Sequence, residues 1–312
     1  MEILQLEAFV SLANTEHMPQ TAQELNTTQS HISKLIASLE AELGEKLFDR
    51  AGRGIRLNEK GRLYYEYAAG ALQMMQNGDT ALKNSRGSLS GTVRIGEYAF
   101  SHILHECIAA FAKKYPRIDF FFSEMHQPDA RMLMATTDIV LHSSQQENSV
   151  LGSQFPVCRE LFEDDMSYVF ISPRFRRFPK EKKTIQVEEL KEFPLIETMP
   201  SPFYRDPAFP NQSFNQVREL FGVSLRIGFT VKDFFSKLSL LDEGVGIALF
   251  PEVCREPVLR FAPDLQVFRL EGKRIERSIM ISRKKKEQLS PAAIAFWDFM
   301  TCYFGLDHDR EQ

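Results

Sequence analysis

The sequence has few cysteines and no long apolar run. Its four cysteines, in a chain of 312 residues, are widely separated and form no Cys-x-x-Cys pair. Reduced thiols are therefore expected rather than a disulfide framework or a zinc site. No apolar stretch approaches the ~20 residues that a membrane-spanning helix needs. The opening residues, Met1 to Gln5, do not resemble a secretory signal. These features predict a cytoplasmic protein without a membrane partner.

Recognisable catalytic motifs are also missing. The chain has no Gly-x-Ser-x-Gly, no phosphate-binding glycine loop and no dinucleotide fingerprint. His102, His105 and Glu106 resemble a helical metal-binding motif only superficially, because the glutamate lies outside the histidine pair. We therefore expect no enzyme activity, no metal and no other cofactor. An enzyme built on the α/β part of the chain remains an alternative, which turnover of a candidate ligand would support.

The chain also lacks the net positive charge that is common in DNA-binding proteins. The formal net charge is −4, and residues 1–60 contain more acidic than basic side chains. Bulk electrostatics would therefore repel a phosphate backbone. The basic residues of this segment are concentrated after Glu24, however, so any affinity for DNA must come from a local patch and should fall steeply with salt.

The most informative stretch runs from Leu25 to Arg50. The pattern predicts a helix that begins after Thr28, whose hydroxyl is suited to cap backbone N–H groups. It ends at Gly44, which tolerates the left-handed conformation found at helix ends. Apolar residues recur at spacings of three and four, which puts them on one helical face. These residues are Ile32, Leu35, Ile36, Leu39 and Leu43.

A shorter helix, about Pro19 to Leu25, precedes this one with only Asn26 and Thr27 between them. Two helices joined by so short a turn form a helix-turn-helix. The hairpin predicted from Leu47 to Leu57 adds a basic wing. This order resembles the N-terminal domain of the LysR-type transcriptional regulators, although Ser30 stands where that family usually has proline. The matching residues are Leu25, Gln29, Ser33, Ile36, Leu39, Glu40, Leu43, Gly44, Leu47, Phe48, Arg50, Gly54, Leu57 and Gly61.

A long helix is predicted from Glu59 to about Ser85. Its apolar residues alternate at spacings of four and three, which indicates a coiled-coil seam joining two copies of the chain. The small residues from Ser85 to Gly91 then form a hinge. The predicted seam consists of Tyr64, Ala68, Ala71, Met75 and Leu82.

Beyond Gly91, strands and helices alternate, which indicates parallel sheets covered by helices. The segments Thr92 to Gly96, Asp138–Ile139 and Leu241 to Ile247 resemble landmarks of the LysR effector domain. The resemblance implies two lobes, similar to periplasmic binding proteins, with a small molecule between them. The chain is expected to cross between lobes near Glu163–Met166 and Leu265–Arg269.

The predicted fold class is therefore α/β. A winged helix-turn-helix (1–58) is followed by a linker and dimerisation helix with its hinge (59–90) and a two-lobed effector domain (91–306). Lobe 1 is expected to contain about 91–164 and 268–306, and lobe 2 about 165–267.

The start of the predicted recognition helix carries short or forked hydrogen-bonding side chains, which suit base reading in the major groove. Nearby basic residues suit phosphate or minor-groove contacts. The candidate contacts to promoter or operator DNA are Thr28, Gln29, Ser30, His31 and Ser33, with Lys34, Arg50 and Arg53 as the basic group.

The effector site is predicted at the carboxyl ends of the strands, where ligands bind in open parallel sheets and helix N-termini favour negative charge. By resemblance, the regions of Ser101 and Thr198 correspond to effector-contacting segments. The histidines are inferred from position alone. An anionic or strongly polar effector is expected, binding more tightly as pH falls through about 6–7. The candidate contacts are Ser101, His102, His126, His142, Thr198, Thr230 and Lys232.

These features together predict a sequence-specific transcriptional regulator controlled by a small molecule. It is expected to form a homodimer through the linker helix and a homotetramer beyond that, with RNA polymerase as a further candidate partner. An architectural or partner-docking DNA-binding protein with a vestigial cleft is the other alternative. Effector identity, operator sequence and the choice between activation and repression stay open.

Overall fold

The structure is a computed structural model that describes residues 1–51, 54–84, 89–98, 102–125, 130–144, 149–198 and 213–306. Three predicted site residues, Arg53, Ser101 and His126, lie outside these ranges, as does most of the predicted hinge.

The N-terminal unit is a three-helix domain with a two-stranded antiparallel wing, as the sequence predicts. Its core is apolar and closed: Phe9, Leu12, Ile32 and Leu39 have no exposed side-chain surface. The elements are α1 (Ile3–Thr15), α2 (Met18–Glu24), α3 (Gln29–Leu43), β1 (Phe48–Ala51) and β2 (Gly54–Leu57).

Local chemistry fixes both ends of α3. The Thr28 hydroxyl accepts a hydrogen bond from the backbone N–H of His31 at 3.2 Å, and Gly44 ends the helix with φ of 71°. The turn before α3 uses Asn26 at φ of 49°, a left-handed conformation that asparagine tolerates better than most residues. The predicted limits of the recognition helix are thus confirmed.

Helix α4 (Glu59–Asn84) links this domain to the rest of the chain. Its first half buries Tyr65, Ala68 and Ala69 in the core of the winged domain. Its second half buries polar side chains instead. The Gln73 amide donates to Asn77 Oδ1 at 3.0 Å, and Asn77 Nδ2 donates to the carbonyl of Gln288 at 3.1 Å. The helix therefore packs on both the DNA-binding domain and the C-terminal domain.

Lobe 1 begins after the hinge with alternating strands and helices. Strands β3, β4 and β5 are parallel, as the alternation predicts. The elements are β3 (Gly91–Glu97), α5 (His102–Lys114), β4 (Ile118–Glu124), α6 (Ala130–Thr136), β5 (Ile139–Ser143), α7 (Ser149–Gln154) and β6 (Val157–Asp165).

Lobe 2 is built on a six-stranded sheet with apolar side chains buried on both faces. Parallel strands occupy one half of it, and β7 runs antiparallel to two neighbours. The sheet order is β10-β9-β11-β7-β12-β8. The elements are β7 (Tyr168–Ile171), β8 (Thr184–Ile185), β9 (Leu195–Thr198), α8 (Ser213–Phe221), β10 (Ile227–Val231), α9 (Phe234–Asp242), β11 (Ile247–Phe250), α10 (Arg255–Phe261) and β12 (Gln266–Leu270).

The chain then returns to lobe 1 through β13 (Glu276–Arg283) and α11 (Pro291–Tyr303). Strand β13 pairs antiparallel with both β5 and β6, which gives the lobe 1 sheet the order β4-β3-β5-β13-β6. Helix α11 contributes Phe296 and Trp297 to the core that covers this sheet.

The first crossing between lobes lies at Met166 and Ser167, next to the predicted position. The second crossing differs from the prediction. The sequence predicts this crossing near Leu265–Arg269, with residues from 268 onward in lobe 1. Gln266–Leu270 instead forms β12, which pairs with β7 and β8 inside lobe 2. The chain therefore crosses back between Glu271 and Ile275, because its strand pairing holds it in lobe 2 until then.

Two positions before β11 require glycine. Gly244 has φ of 73° as the chain leaves α9. At Gly246 a Cβ atom would lie 2.2 Å from the carbonyl oxygen of Pro194, so only glycine permits this close approach of the two strands.

Candidate DNA-binding surface and effector cleft

Helix α3 divides its side chains between a core face and an exposed face. Ile32, Leu35, Ile36 and Leu39 are buried against the other helices. The opposite face begins at the helix N-terminus and is polar. Five exposed side chains in its first half form no hydrogen bond or ion pair with another described residue. These exposed residues are Gln29, Ser30, His31, Ser33 and Lys34.

The wing carries basic side chains. Arg50 and Arg56 are exposed on β1 and β2, and the two strands pair so that Asp49 lies opposite Arg56. Arg50 thus belongs to the same domain as the predicted recognition helix, and its contact with DNA stays a prediction. Arg53, at the tip of the hairpin, is outside the described residues and its predicted contact stays a prediction.

Glu40 joins the recognition helix to the wing, a role that the sequence pattern did not reveal. Its side chain is 7% exposed, and its Oε1 accepts hydrogen bonds from the backbone N–H groups of Leu47 at 2.9 Å and Phe48 at 3.4 Å. Its Oε2 pairs with Lys46 Nζ at 2.6 Å. One buried carboxylate thus fixes the start of β1 relative to α3.

Replacing Glu40 with alanine should destabilise the DNA-binding domain. The N–H groups of Leu47 and Phe48 would lose their acceptor, and an unsatisfied buried donor costs about 1–3 kcal/mol. Urea unfolding of the full chain measures the loss. Glu45→Ala is the matched control, because the exposed Glu45 side chain pairs with the exposed Lys60 side chain. Equal stability of the two variants would contradict the anchoring role.

The linker helix presents an apolar stripe that differs from the predicted seam. Leu63, Tyr67 and Met74 are 61%, 70% and 50% exposed. Two members of the predicted seam turn the other way: Ala68 is buried, and Tyr64 packs its ring 5.3 Å from that of Phe9. Ala68 is thus covered within its own chain and cannot join a seam between two copies. The other predicted members Ala71, Met75 and Leu82 are exposed, so their part of the seam stays a prediction.

A buried ion pair marks the crossing between the lobes. Arg277 donates from Nε and Nη2 to Asp164 Oδ2 at 3.0 and 2.8 Å, and both side chains are buried. The second oxygen of Asp164 accepts the backbone N–H of Val253 at 3.1 Å. Since Val253 lies between β11 and α10, this pair ties the crossing strands of lobe 1 to the backbone of lobe 2.

His102 also reaches lobe 2. Its Nε2 lies 3.2 Å from the carbonyl oxygen of Val253, and because a carbonyl only accepts, Nε2 carries the hydrogen. Burial lowers the pKa of His102, although the bond to Val253 acts in the opposite direction. Protonation of this ring therefore needs a lower pH than that of an ordinary histidine. The predicted tightening of effector binding with falling pH stays a prediction.

His142 is buried in lobe 1, with 2% of its surface exposed. Its Nδ1 donates to the carbonyl of Ser143 at 3.1 Å, which leaves Nε2 to accept from the hydroxyl of Ser282 at 2.8 Å. Nδ1 thus bonds within β5, and Nε2 bonds across to β13. The structure favours a role for His142 in the sheet over the predicted contact with an effector.

Three predicted effector contacts lie together at one end of the lobe 2 sheet. Thr198 ends β9 and is half-buried, while Thr230 and Lys232 are exposed at the end of neighbouring β10. The parallel register aligns Val231 with Thr198. This edge is the carboxyl end of both strands, where open parallel sheets bind ligands.

Within the described ranges, no three His, Cys, Asp or Glu side chains are grouped closely enough to hold a metal ion. No described helix is both long and apolar enough to cross a membrane.

Two family profiles match the chain. One is described as a bacterial regulatory helix-turn-helix protein of the lysR family and matches residues 3–62. The other is described as a LysR substrate binding domain and matches residues 86–305. Together they cover the winged domain, the start of the linker helix and both lobes.

Named relatives match over most of their length. The transcriptional regulator ShiR of Corynebacterium glutamicum is 27% identical over 266 residues, which are 80% of this chain and 82% of that protein. The transcriptional dual regulator GltC of Bacillus subtilis is 25% identical over 98% of both chains.

Solved structures share the architecture over the full chain. A full-length OxyR variant from Pseudomonas aeruginosa has a TM-score of 0.68 at 18% identity, covering 100% of this chain and 99% of that one. The LysR family regulator CbnR has a TM-score of 0.64 at 20% identity, covering 98% and 100%. CbnR in complex with its target DNA has a TM-score of 0.61 at 20% identity, covering 96% and 98%. The matched profiles, which cover most of the chain, identify it as a member of the LysR family of transcriptional regulators, with a helix-turn-helix DNA-binding domain and an effector-binding domain.

Proposed function

We propose that this protein recognises a specific operator through the N-terminal half of α3 and the wing. Gln29, Ser30, His31 and Ser33 read base edges in the major groove, and Lys34 and Arg50 contact phosphates. The main support is that these side chains are exposed, while Ile32, Leu35, Ile36 and Leu39 on the opposite face of α3 are buried. Phosphate contacts fix position and base contacts supply specificity. The fold shared with DNA-bound CbnR supports this use of the domain.

The roles assigned to α3 and the wing predict two different mutant effects. Gln29→Ala should relax the preference at one or two base positions, since a good base contact contributes about 1–3 kcal/mol of discrimination. Arg50→Ala should weaken binding to all sequences and reduce the salt slope by about one unit.

Selection from a random DNA pool measures the first effect, and binding at several salt concentrations measures the second. Gln23→Ala is the control for the first change, because Gln23 is an exposed glutamine of α2 outside the proposed contacts. An unchanged motif from Gln29→Ala would remove this residue from the recognition surface.

The operator-binding unit that we propose is a homodimer. The exposed stripe of α4, made by Leu63, Tyr67 and Met74, pairs with the same stripe of a second copy. Their spacing of four and seven residues fits a coiled-coil seam. Two recognition helices related by a two-fold axis then read a roughly palindromic operator.

A homotetramer is the proposed higher assembly, formed through the lobes. Strand β4 lies at the edge of the lobe 1 sheet among the described strands and exposes Phe121 and Phe122 at 58% and 36%. Strand β10 lies at the edge of the lobe 2 sheet and exposes Ile227 at 38%. Edge strands with exposed apolar side chains favour pairing with another chain. RNA polymerase is a further proposed partner, and the cytoplasm is the proposed place of action.

A small molecule bound between the lobes is proposed to control DNA binding. Thr198, Thr230 and Lys232 are its proposed contacts in lobe 2, and Ser101 and His126 are retained as contacts predicted from the sequence alone. His102 is proposed to act by holding the lobes together rather than by direct contact, because its Nε2 hydrogen bonds to Val253.

A further inference from the structure

Two oppositely charged side chains are buried at the carboxyl end of the lobe 2 sheet. Glu197 precedes Thr198 on β9, and Lys237 lies in the first half of α9. Each residue is 3% exposed, and Lys237 Nζ lies 3.5 Å from Glu197 Oε1. Charged side chains are rarely buried to this extent unless they are paired.

Lys237 has several partners at this position. Its Nζ donates to the carbonyl of Leu249 at 3.1 Å and lies 4.7 Å from the ring centre of Phe250. The only register pair between β9 and β11 is Leu195 with Ile247, so the strands part beyond it. The Lys237 ammonium group therefore lies beyond the last paired residues of β9 and β11, where it forms an ion pair with Oε1 of Glu197.

The other oxygen of Glu197 lacks a partner. Oε2 is inaccessible to solvent and accepts no hydrogen bond from any described residue. A buried carboxylate oxygen without a donor is unfavourable, and such groups in native structures call for a specific explanation. The structure therefore provides an acceptor whose donor is absent from the described part of the chain.

The location of this acceptor connects it with the cleft. Glu197 is paired in register with Thr230 on β10 and is followed by Thr198, two of the proposed effector contacts. Exposed Lys232 lies at the end of the same neighbouring strand. An acidic group and a basic group thus occupy the same strand ends, which suits a ligand with both charges.

We propose that Glu197 is a binding residue for a protonated amine of the effector, with Lys237 positioning the carboxylate. The effector is then a small dipolar molecule of the amino acid class, whose anionic group lies toward Thr198 and Lys232. This proposal rests on the proposed function of the cleft and adds the chemical class of its ligand. Binding satisfies Glu197 Oε2 with an N–H donor.

Thermal unfolding of the full-length protein with matched small molecules tests the proposal. The probes are the common α-amino acids, each compared with the carboxylic acid that lacks its amino group. At least one amino acid should raise the Tm, and its matched acid should bind at least tenfold more weakly. Equal effects of the two members of every pair, or no effect of any amino acid, would overturn the proposal.

Variants then separate ligand contact from simple structural support. Glu197→Gln should weaken binding of the active amino acid at least tenfold in calorimetry and reduce its preference over the matched acid. Glu188→Gln, the same change at an exposed position of lobe 2, should leave both unchanged. If the glutamine variant does not fold, Glu197→Asp replaces it in the same experiment. This variant keeps the charge but has a shorter side chain, so it should also weaken binding of the amino acid. A variant that folds less stably but retains the preference would show that the pair only supports the strands.

DNA binding by the wild-type protein is measured separately in the same samples. Loss of the amine preference with intact DNA binding would contradict this inference alone. Absence of specific DNA binding would contradict the proposed function, whatever the amino acids do.

Discussion

Replacing Leu63 and Met74 with glutamate should convert the protein to a monomer and weaken operator binding at least about 100-fold. Both side chains are exposed, so the charges should leave the fold of each chain intact. In the dimer they would place like charges across the α4 seam. A monomer loses the second recognition helix, and linked binding sites commonly gain about 10²–10⁴ in affinity over one site.

Sedimentation and DNA titration measure this effect. Gln76→Glu is the control, because Gln76 is exposed on another face of α4. Ala68→Glu would not be a clean test, since Ala68 is buried inside its own winged domain. A double variant that stays dimeric with wild-type affinity would exclude the α4 stripe as the dimer interface.

The second large effect is expected at the crossing between the lobes. Arg277→Ala should destabilise the C-terminal domain by about 3–5 kcal/mol, the usual cost of leaving a buried charge without its partner. The remaining charge would be Asp164, whose second oxygen also holds the backbone of Val253. The substitution should therefore lower the stability of both lobes.

Hydrogen exchange and urea unfolding measure this loss in the C-terminal domain. Arg260→Ala provides the comparison, because Arg260 pairs with Glu256 on the surface of α10, where both side chains are at least 75% exposed. Exposed helix pairs of this kind contribute about 0.3–0.5 kcal/mol. Similar losses in the two variants would contradict a special role for the Asp164–Arg277 pair.

The recognition helix could be predicted from sequence because its determinants are local. The cap at Thr28, the stop at Gly44 and the apolar spacing between them all lie within one helix. Each acts as the pattern predicts except that Leu43, the last residue of the predicted apolar face, is 37% exposed. The wing and the parallel strands of lobe 1 were predicted for the same reason, since strand runs and turn residues are short-range signals.

Which apolar face of α4 stays free could not be predicted, because the helix has apolar residues on two faces. Tyr64 and Ala68 fit a heptad, but so do Leu63 and Tyr67 one residue earlier. The packing of the winged domain and of α6 on α4 decides which of these side chains are covered. The end of lobe 2 was missed because the pairing of β12 with β7 joins residues far apart in sequence.

The roles of the buried residues Glu40 and Glu197 could likewise not be predicted from the sequence. Glu40 stood out only as part of a family pattern, and its contact with the wing depends on the folded position of β1. Glu197 and Lys237 lie on different elements and carry no spacing signal. His142, by contrast, was predicted at a strand end but is buried between strands, because position along a strand does not reveal which face a side chain occupies.

Selection of bound sequences from a random duplex DNA pool, using the full-length wild-type protein, tests whether the protein recognises a specific operator. We expect an enriched, roughly palindromic motif whose half-sites are separated by about one helical turn or a multiple of it. Binding to that motif should fall steeply as salt increases. Failure to enrich any motif, or a single half-site bound as tightly as the full one, would contradict this expectation.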